Sequence, residues 1–526
     1  MLFNSWIFAG FFLLFMPVFL FVRNNLRLRN LWLLLASYVF YGWWNPRFVT
    51  LLAILAAVDY LAARGVAGLS VSRRDKAKAA VFTVGTTVVC ALFIGADALW
   101  LIQITTAFVA LLLVATFAIG RASADRQRRF WLYLSIGANL GILAYFKYAN
   151  FFLASVQDAL RAVGWEVDTF TLSIILPIGL SFHVFQGVSR TVDCYRGVVK
   201  PEGSLTTVAT YLAFFPQLVA GPIERAAHLI PQFQTVRPIS WQLFSSGALL
   251  FVWGMYQKVV VADNVAPIAN DVFANASTAT GATAVAGVLA FTLQIYCDFC
   301  GYSNMARGLA RCLGFDLMAN FDLPYFARTP SEFWKRWHIS LSTWLRDYLY
   351  VTLGGNRHGS RTMYRNLMLT MLLGGLWHGA AWTFVVWGAF HGAIQVVYRV
   401  LKVDALISRV KFASAKGLAI HGFAWMSTMV LVMIGWVFFR ATSFQNAADI
   451  FSAVLRFDGY SWSVFRPLVA FAGPLILVEV FQRASGRAEV LSVGPFILRY
   501  TATVLVLMTI ALISAPPGQE FIYFDF

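Results

Sequence analysis

Charge is what this chain has least of. Only 12% of its 526 residues are charged while 59% are hydrophobic, against roughly 25% charged residues in ordinary soluble domains, and the mean hydropathy is +0.69. So little charge excludes a string of soluble domains and indicates an integral membrane protein. Several motifs are also missing. No Gly-Lys-Ser phosphate loop, Gly-x-Ser-x-Gly nucleophile elbow or His-Glu-x-x-His zinc helix occurs, which argues against a nucleotide-driven pump and a serine hydrolase. Cysteine is sparse: Cys90, Cys194, Cys297, Cys300 and Cys312 lie in or beside apolar runs and do not resemble a disulfide framework. Cys297 and Cys300 have metal-ligand spacing, yet no second Cys or His pair stands at zinc-finger distance, so they read as packing thiols and no metal is expected. No basic residue precedes the first apolar run, which is therefore expected to stay as an anchor.

What charge there is has one dominant sign. Forty-one Lys and Arg stand against 24 Asp and Glu, a formal net charge of +17. The basic residues sit in short clusters between apolar runs, the signature of positive-inside topology, and no nucleic-acid partner is expected. Runs at 6–22, 31–44, 48–63, 79–95 and 100–120 read as spans, with basic clusters beginning at Arg23, Arg64 and Arg121. Alternation puts those clusters in the cytoplasm and the N-terminus outside. Runs at 130–151 and 172–189 continue the pattern, with Asp158, Glu166 and Asp168 on the outer side. Since a helix needs roughly 20 apolar residues to cross, the chain has room for about a dozen spans in one bundle. The stretch 211–221, interrupted by Pro216 and followed by Pro222, is short for a span and reads as re-entrant or interfacial.

Further spans are read at 241–261, 283–304, 366–382 and 383–398, and later near 417–438, 468–481 and 496–514. The span at 283–304 contains Gln294, Asp298 and Asn304. An ionisable residue at that depth is costly and should face a cavity or a partner, unless Asp298 sits at a helix end near water. Between the spans, 307–365 interleaves basic residues with aromatics. Phe333, Trp334, Trp337 and Trp344 recur at helical spacing beside Lys335, Arg336 and Arg346, as in an amphipathic helix that lies at the interface or folds back into the protein. Gly354-Gly355-Asn356 supplies a turn signal after it.

Two histidines have the right setting for chemistry. His378 lies in Gly374-Gly375-Leu376-Trp377-His378-Gly379-Ala380, where small residues permit close helix approach or open space beside the ring. A neutral imidazole there can serve as a general base toward a hydroxyl nucleophile, or as a hydrogen-bonded packing group. His338, in Trp334-Lys335-Arg336-Trp337-His338, is the second candidate, and an interfacial structural role is its alternative.

These pieces together resemble the membrane-bound O-acyltransferase family, and within it the bacterial alginate O-acetyltransferase branch. The resemblance rests on Phe333-Trp334-Lys335-Arg336-Trp337-His338-Ile339-Ser340, on Trp344-Leu345-Arg346-Asp347-Tyr348, on Leu353-Gly354-Gly355-Asn356 and on Gly375-Leu376-Trp377-His378-Gly379. Upstream, 176–182, 193–197 and Ala220-Gly221-Pro222-Ile223 match the same branch, as do the opening Phe3-Asn4-Ser5 and the closing Phe521-Ile522-Tyr523-Phe524. The chain departs from the branch at His183, Cys300 and Asn304.

The resemblance implies an all-α polytopic bundle with re-entrant or interfacial helices and a central tunnel. It implies a single domain over 1–526 with a motif-bearing core at about 170–400. It further implies acyl transfer from a cytoplasmic thioester, acetyl-CoA, to a hydroxyl acceptor, with His378 as the catalytic histidine, His338 as the second active-site position, and no cofactor. Arg336, Arg346, Trp337, Trp377, Asp298 and Asn304 are the candidate substrate contacts, the two arginines suiting an anionic donor's phosphates. The implied setting is the bacterial inner membrane, with membrane lipids around the bundle, an extracytoplasmic polysaccharide as acceptor and a periplasmic acetyltransferase as partner. Alginate leads among acceptors, ahead of cellulose, peptidoglycan and D-alanyl transfer to teichoic acid. A lipid or sugar transporter would also use polar span residues, but would not need the aromatic-basic stretch that ends in His338.

Overall fold

A computed structural model describes the chain apart from residues 121, 166, 167, 169, 413, 488, 490, 492–494, 516–520 and 523–526. Arg121, Glu166, Tyr523 and Phe524, named above, lie outside the described residues. Every regular element among the described residues is helical, as expected. The chain gathers into two compact units. The first comprises 1–240 with 313–317 and the second 241–312 with 318–526.

The first unit contains α1 (Trp6–Val22), α2 (Leu26–Gly42), α3 (Arg47–Val66), α4 (Arg73–Ile94), α5 (Leu99–Ile119), α6 (Ala124–Leu143), α7 (Ala149–Ala162), α8 (Leu180–Tyr195), α9 (Leu205–Ala213), α10 (Phe215–Leu218) and α11 (Ala226–Gln234). Its centre is α3, packed against α4, α6, α8 and α9. Enclosure of α3 explains how Asp59 survives in an apolar helix: its Oδ1 accepts from Ser135 Oγ at 2.8 Å and from Asn139 Nδ2 at 3.0 Å. The span read at 172–189 is helical only from Leu180. Pro177 precedes Gly179, whose φ of 72° is left-handed, and the helix starts after that turn. The broken stretch at 211–221 is two short helices, α9 and α10, buried inside the unit, with Pro216 in the first turn of α10.

The second unit contains α12 (Trp241–Met255), α13 (Asp263–Ala274), α14 (Gly281–Cys312), α15 (Pro330–Arg336), α16 (Ile339–Trp344), α17 (Gly359–His378), α18 (Trp382–Val400), α19 (Val403–Arg409), α20 (Ala415–Arg440), α21 (Phe444–Val454), α22 (Trp462–Ser485) and α23 (Phe496–Ile513). A π turn over Tyr256–Ala262 joins α12 to α13. Its central rod is the 32-residue α14, and α12 lies hard against it. A Cβ added at Gly254 would stand 2.4 Å from the Gly301 carbonyl oxygen, so only glycine permits that approach.

Against the dozen expected spans, the described residues contain seven helical stretches long and apolar enough to cross a bilayer, or eight if α18 and α19, which meet at a 58° bend, cross as one. The chain is a multi-pass membrane protein. The difference has a physical cause: an apolar run fits a protein interior as well as it fits lipid. In α3 and α14 most of the apolar window is enclosed by protein, whereas α4, α5 and α22 turn most of theirs outward. The presumed spans at 130–151 and 366–382 are helices that do not meet the length and hydropathy of a span.

Candidate active site

The histidine pair is assembled from two breaks in helix. Thr329 caps α15 by accepting from Glu332 N–H at 3.1 Å, with Pro330 in the first turn. That helix stops at Trp337, and α16 begins after His338, so the single amphipathic helix read through this stretch is interrupted at the candidate residue itself. His338 has φ 43° and ψ 54°, a left-handed conformation that costs a bulky L-residue about 1–2 kcal/mol. Asn320 holds it there. The Asn320 carbonyl oxygen accepts from Ile339 N–H at 2.9 Å, and Asp322 N–H donates to Arg336 O at 3.0 Å. Asn320 Oδ1 accepts from Ser340 N–H at 3.2 Å and Ser340 Oγ at 2.7 Å, and lies 3.2 Å from His338 Nδ1.

This clasp also fixes the tautomer. A backbone N–H can only donate, so the amide atom facing Ser340 is the oxygen, and His338 Nδ1 must carry the proton. The lone pair is then on Nε2. Burial, with no exposed surface on the residue, pushes the His338 pKa down to about 3, which leaves the ring neutral at physiological pH.

His378 is the last residue of α17, where Gly379 turns the backbone extended. The small residues around it serve close approach rather than open space. A Cβ at Gly375 would stand 2.3 Å from the Phe384 carbonyl oxygen, and one at Gly388 would stand 2.3 Å from that of Met371, which presses α17 onto α18. The 4%-exposed His378 meets Trp387 at 5.0 Å, Trp377 at 5.0 Å and Phe439 at 5.3 Å between ring centroids. His338 meets Phe299 edge-on at 4.6 Å. The ring centroids of the two imidazoles are 6.3 Å apart.

The remaining sequence candidates divide. Trp377 joins the pair, 6.0 Å from His338. Trp337 instead packs in the apolar core against Trp436 at 4.9 Å and Phe321 at 5.1 Å. Arg336 is held by Glu332 and Asp322, both at 3.1 Å, and Arg346 by Asp347 at 2.7 Å on an exposed turn. Asp298 has found partners rather than a cavity: Oδ1 lies 2.7 Å from Lys258 Nζ, which also pairs with Asp263, and Oδ2 accepts from Ile522 N–H at 2.7 Å. Asn304 donates to Gln257 Oε1 at 2.8 Å. For these four, the side chain's polar capacity is directed to a neighbour in the protein.

Sequence reading passed over three neighbours of the pair. Asn320 lies in a loop with no motif to mark it. Trp387 was hidden in an ordinary apolar run. His391 follows Trp387 by one helical turn, buried against it at 4.9 Å and against Trp334 at 5.2 Å, with neither ring nitrogen hydrogen-bonded among the described residues. The detectable signal was a second histidine flanked by glycines, in Gly388-Ala389-Phe390-His391-Gly392.

Comparison with known proteins places the chain among membrane O-acyltransferases. The model of the membrane-bound O-acyltransferase family matches residues 201–443, which include both histidines. The probable alginate O-acetylase AlgI of Azotobacter vinelandii is 39% identical over 455 residues, covering 86% of this chain and 78% of that protein. A peptidoglycan O-acetyltransferase of Helicobacter pylori is 31% identical over 458 residues, covering 82% and 75%. A teichoic acid D-alanyltransferase of Streptococcus thermophilus is 27% identical over 240 residues, covering 43% and 58%.

Proposed function

The chain belongs to the membrane-bound O-acyltransferase family, and on that premise we propose that it passes an acetyl group from cytoplasmic acetyl-CoA, through a tunnel in the membrane, toward an extracytoplasmic polysaccharide. The observation that carries the reading is the burial of two imidazoles, their ring centroids 6.3 Å apart, in an aromatic enclosure. In this scheme His378 takes the proton of the attacking hydroxyl. The oxygen forms a bond to the thioester carbonyl carbon, the carbon–sulfur bond breaks, and the thiolate leaves with the proton held on His378. His338 remains neutral and hydrogen-bonds the reacting group, its ring fixed by Asn320. The tryptophans exclude water, which would otherwise hydrolyse the thioester.

Alginate or a similar exopolysaccharide is the favoured acceptor, because the probable alginate O-acetylase is more similar, at 39%, than the peptidoglycan O-acetyltransferase, at 31%. Residence in the bacterial inner membrane and a periplasmic acetyltransferase that completes the transfer belong to the same proposal. The test uses purified protein in vesicles with labelled acetyl-CoA. His378→Ala is expected to lower acetyl transfer by about 10²–10⁴-fold, the usual contribution of a general base, and transfer at the wild-type rate would overturn the assignment. The O-acetyl content of envelope polysaccharides from a deletion strain identifies the acceptor: loss from peptidoglycan, cellulose or teichoic acid instead of exopolysaccharide would replace alginate.

A further inference from the structure

Ile513, Ala515, Phe521 and Ile522 are tied into the second unit at two places. Near the end of α23, Asn264 Nδ2 donates to the Ile513 carbonyl at 3.0 Å, and Ala515 N–H donates to Val259 O in the π turn at 3.1 Å. Further on, Phe521 and Ile522 are buried, at 1% and 3% exposure. Ile522 N–H donates to Asp298 Oδ2 at 2.7 Å, while Asp298 Oδ1 meets Lys258 Nζ, itself 2.7 Å from Asp263. Two carboxylates and one ammonium leave an excess negative charge in a water-poor setting. A backbone N–H aimed at one carboxylate oxygen compensates part of it.

The same two residues reach the candidate site. Phe521 lies 5.0 Å from Tyr302 and 6.4 Å from Phe299, and Phe299 stands edge-on to the His338 ring at 4.6 Å. Asp298 and Phe299 are adjacent on α14, so one peptide group ties the charged cluster to the ring packed against the imidazole. We propose that Phe521 and Ile522 form a strap that positions His338: the Ile522 N–H holds Asp298, Phe521 backs Phe299, and Phe299 sets the ring that Asn320 grips from its other edge. These are positioning residues. They touch no reacting atom, and the inference rests on the reading of His338 as part of the site.

Ile522→Pro removes the donated N–H, and Ile522→Leu keeps both the N–H and the volume. In vesicles with labelled acetyl-CoA, Ile522→Pro is expected to lower kcat about ten-fold with KM for the donor within about two-fold, as expected for losing a hydrogen bond to a charged acceptor. Ile522→Leu should retain most of the rate. A second readout does not depend on catalysis: diethyl pyrocarbonate modification of His338, followed by mass spectrometry, should accelerate in Ile522→Pro with modification of His378 unchanged. If the proline variant does not fold, Phe521→Ala against Phe521→Leu gives the same contrast. Equal kcat in Ile522→Pro and Ile522→Leu, or a loss of kcat with unchanged His338 modification, overturns the strap. A fully active His338→Gln would instead remove His338 from the reaction, while the modification rates would still judge the strap.

Discussion

At the scale of single residues, the histidines differ by the partners that surround them. His338 is neutral because it is dry; His228, on α11, is its opposite. His228 Nε2 lies 3.5 Å from Asp316 Oδ2 and Nδ1 lies 2.7 Å from Glu224 Oε2. The Asp316 hydrogen bond and then that to Glu224 raise its pKa to about 10. The folded value stands above the unfolded one of about 6.5, so its contribution to stability is full below that pH and disappears as pH rises through about 10. The melting temperature of wild type should exceed that of His228→Gln at about pH 6 and the gap should close by about pH 10; a gap independent of pH would refute the assignment. Sequence patterns singled out His378 and His338 through the joint motif, but not Asn320 or His391. A clasp from a loop 18 residues upstream leaves no local periodicity, because its meaning is the geometry of one carbonyl and one amide.

At the scale of elements, helix identity was legible and helix environment was not. The runs near 417–438, 468–481 and 496–514 return as α20, α22 and α23 with small shifts in their ends, since long apolar periodic segments declare themselves. Breaks at Gly179 and His338 escaped because left-handed residues are set by tertiary bonds. The α17–α18 seam was half legible: the small residues stand out in the sequence, while their use for contact rather than cavity is a property of how the two helices pack. That seam predicts an asymmetry between two glycines. Gly375→Ala forces a Cβ against a backbone carbonyl and should destabilise by about 1–3 kcal/mol. Gly85→Ala on α4 meets nothing within 4 Å and should stabilise by up to about 1 kcal/mol through helix propensity. Thermal unfolding in detergent measures both, and equal effects would contradict the tight seam.

At the scale of the whole molecule, the charge pattern gives an orientation that can be read directly. All five cysteines are buried, so introduced cysteines at exposed positions report alone. With an impermeant maleimide applied to intact cells, Asp168→Cys should label at once and Arg74→Cys only after the membrane is opened; the reverse order would invert the topology. Composition and hydropathy thus placed the chain in a bilayer, but the number of crossings required knowing which helices the protein reserves for itself. One consequence concerns the membrane more than the protein. Helix α1 has 17 residues and at 1.5 Å per residue extends about 26 Å, short of the roughly 30 Å hydrocarbon core. Were α1 to cross, the two lipid leaflets would draw together beside it or flanking residues such as Arg23 and Arg27 would reach for the headgroups.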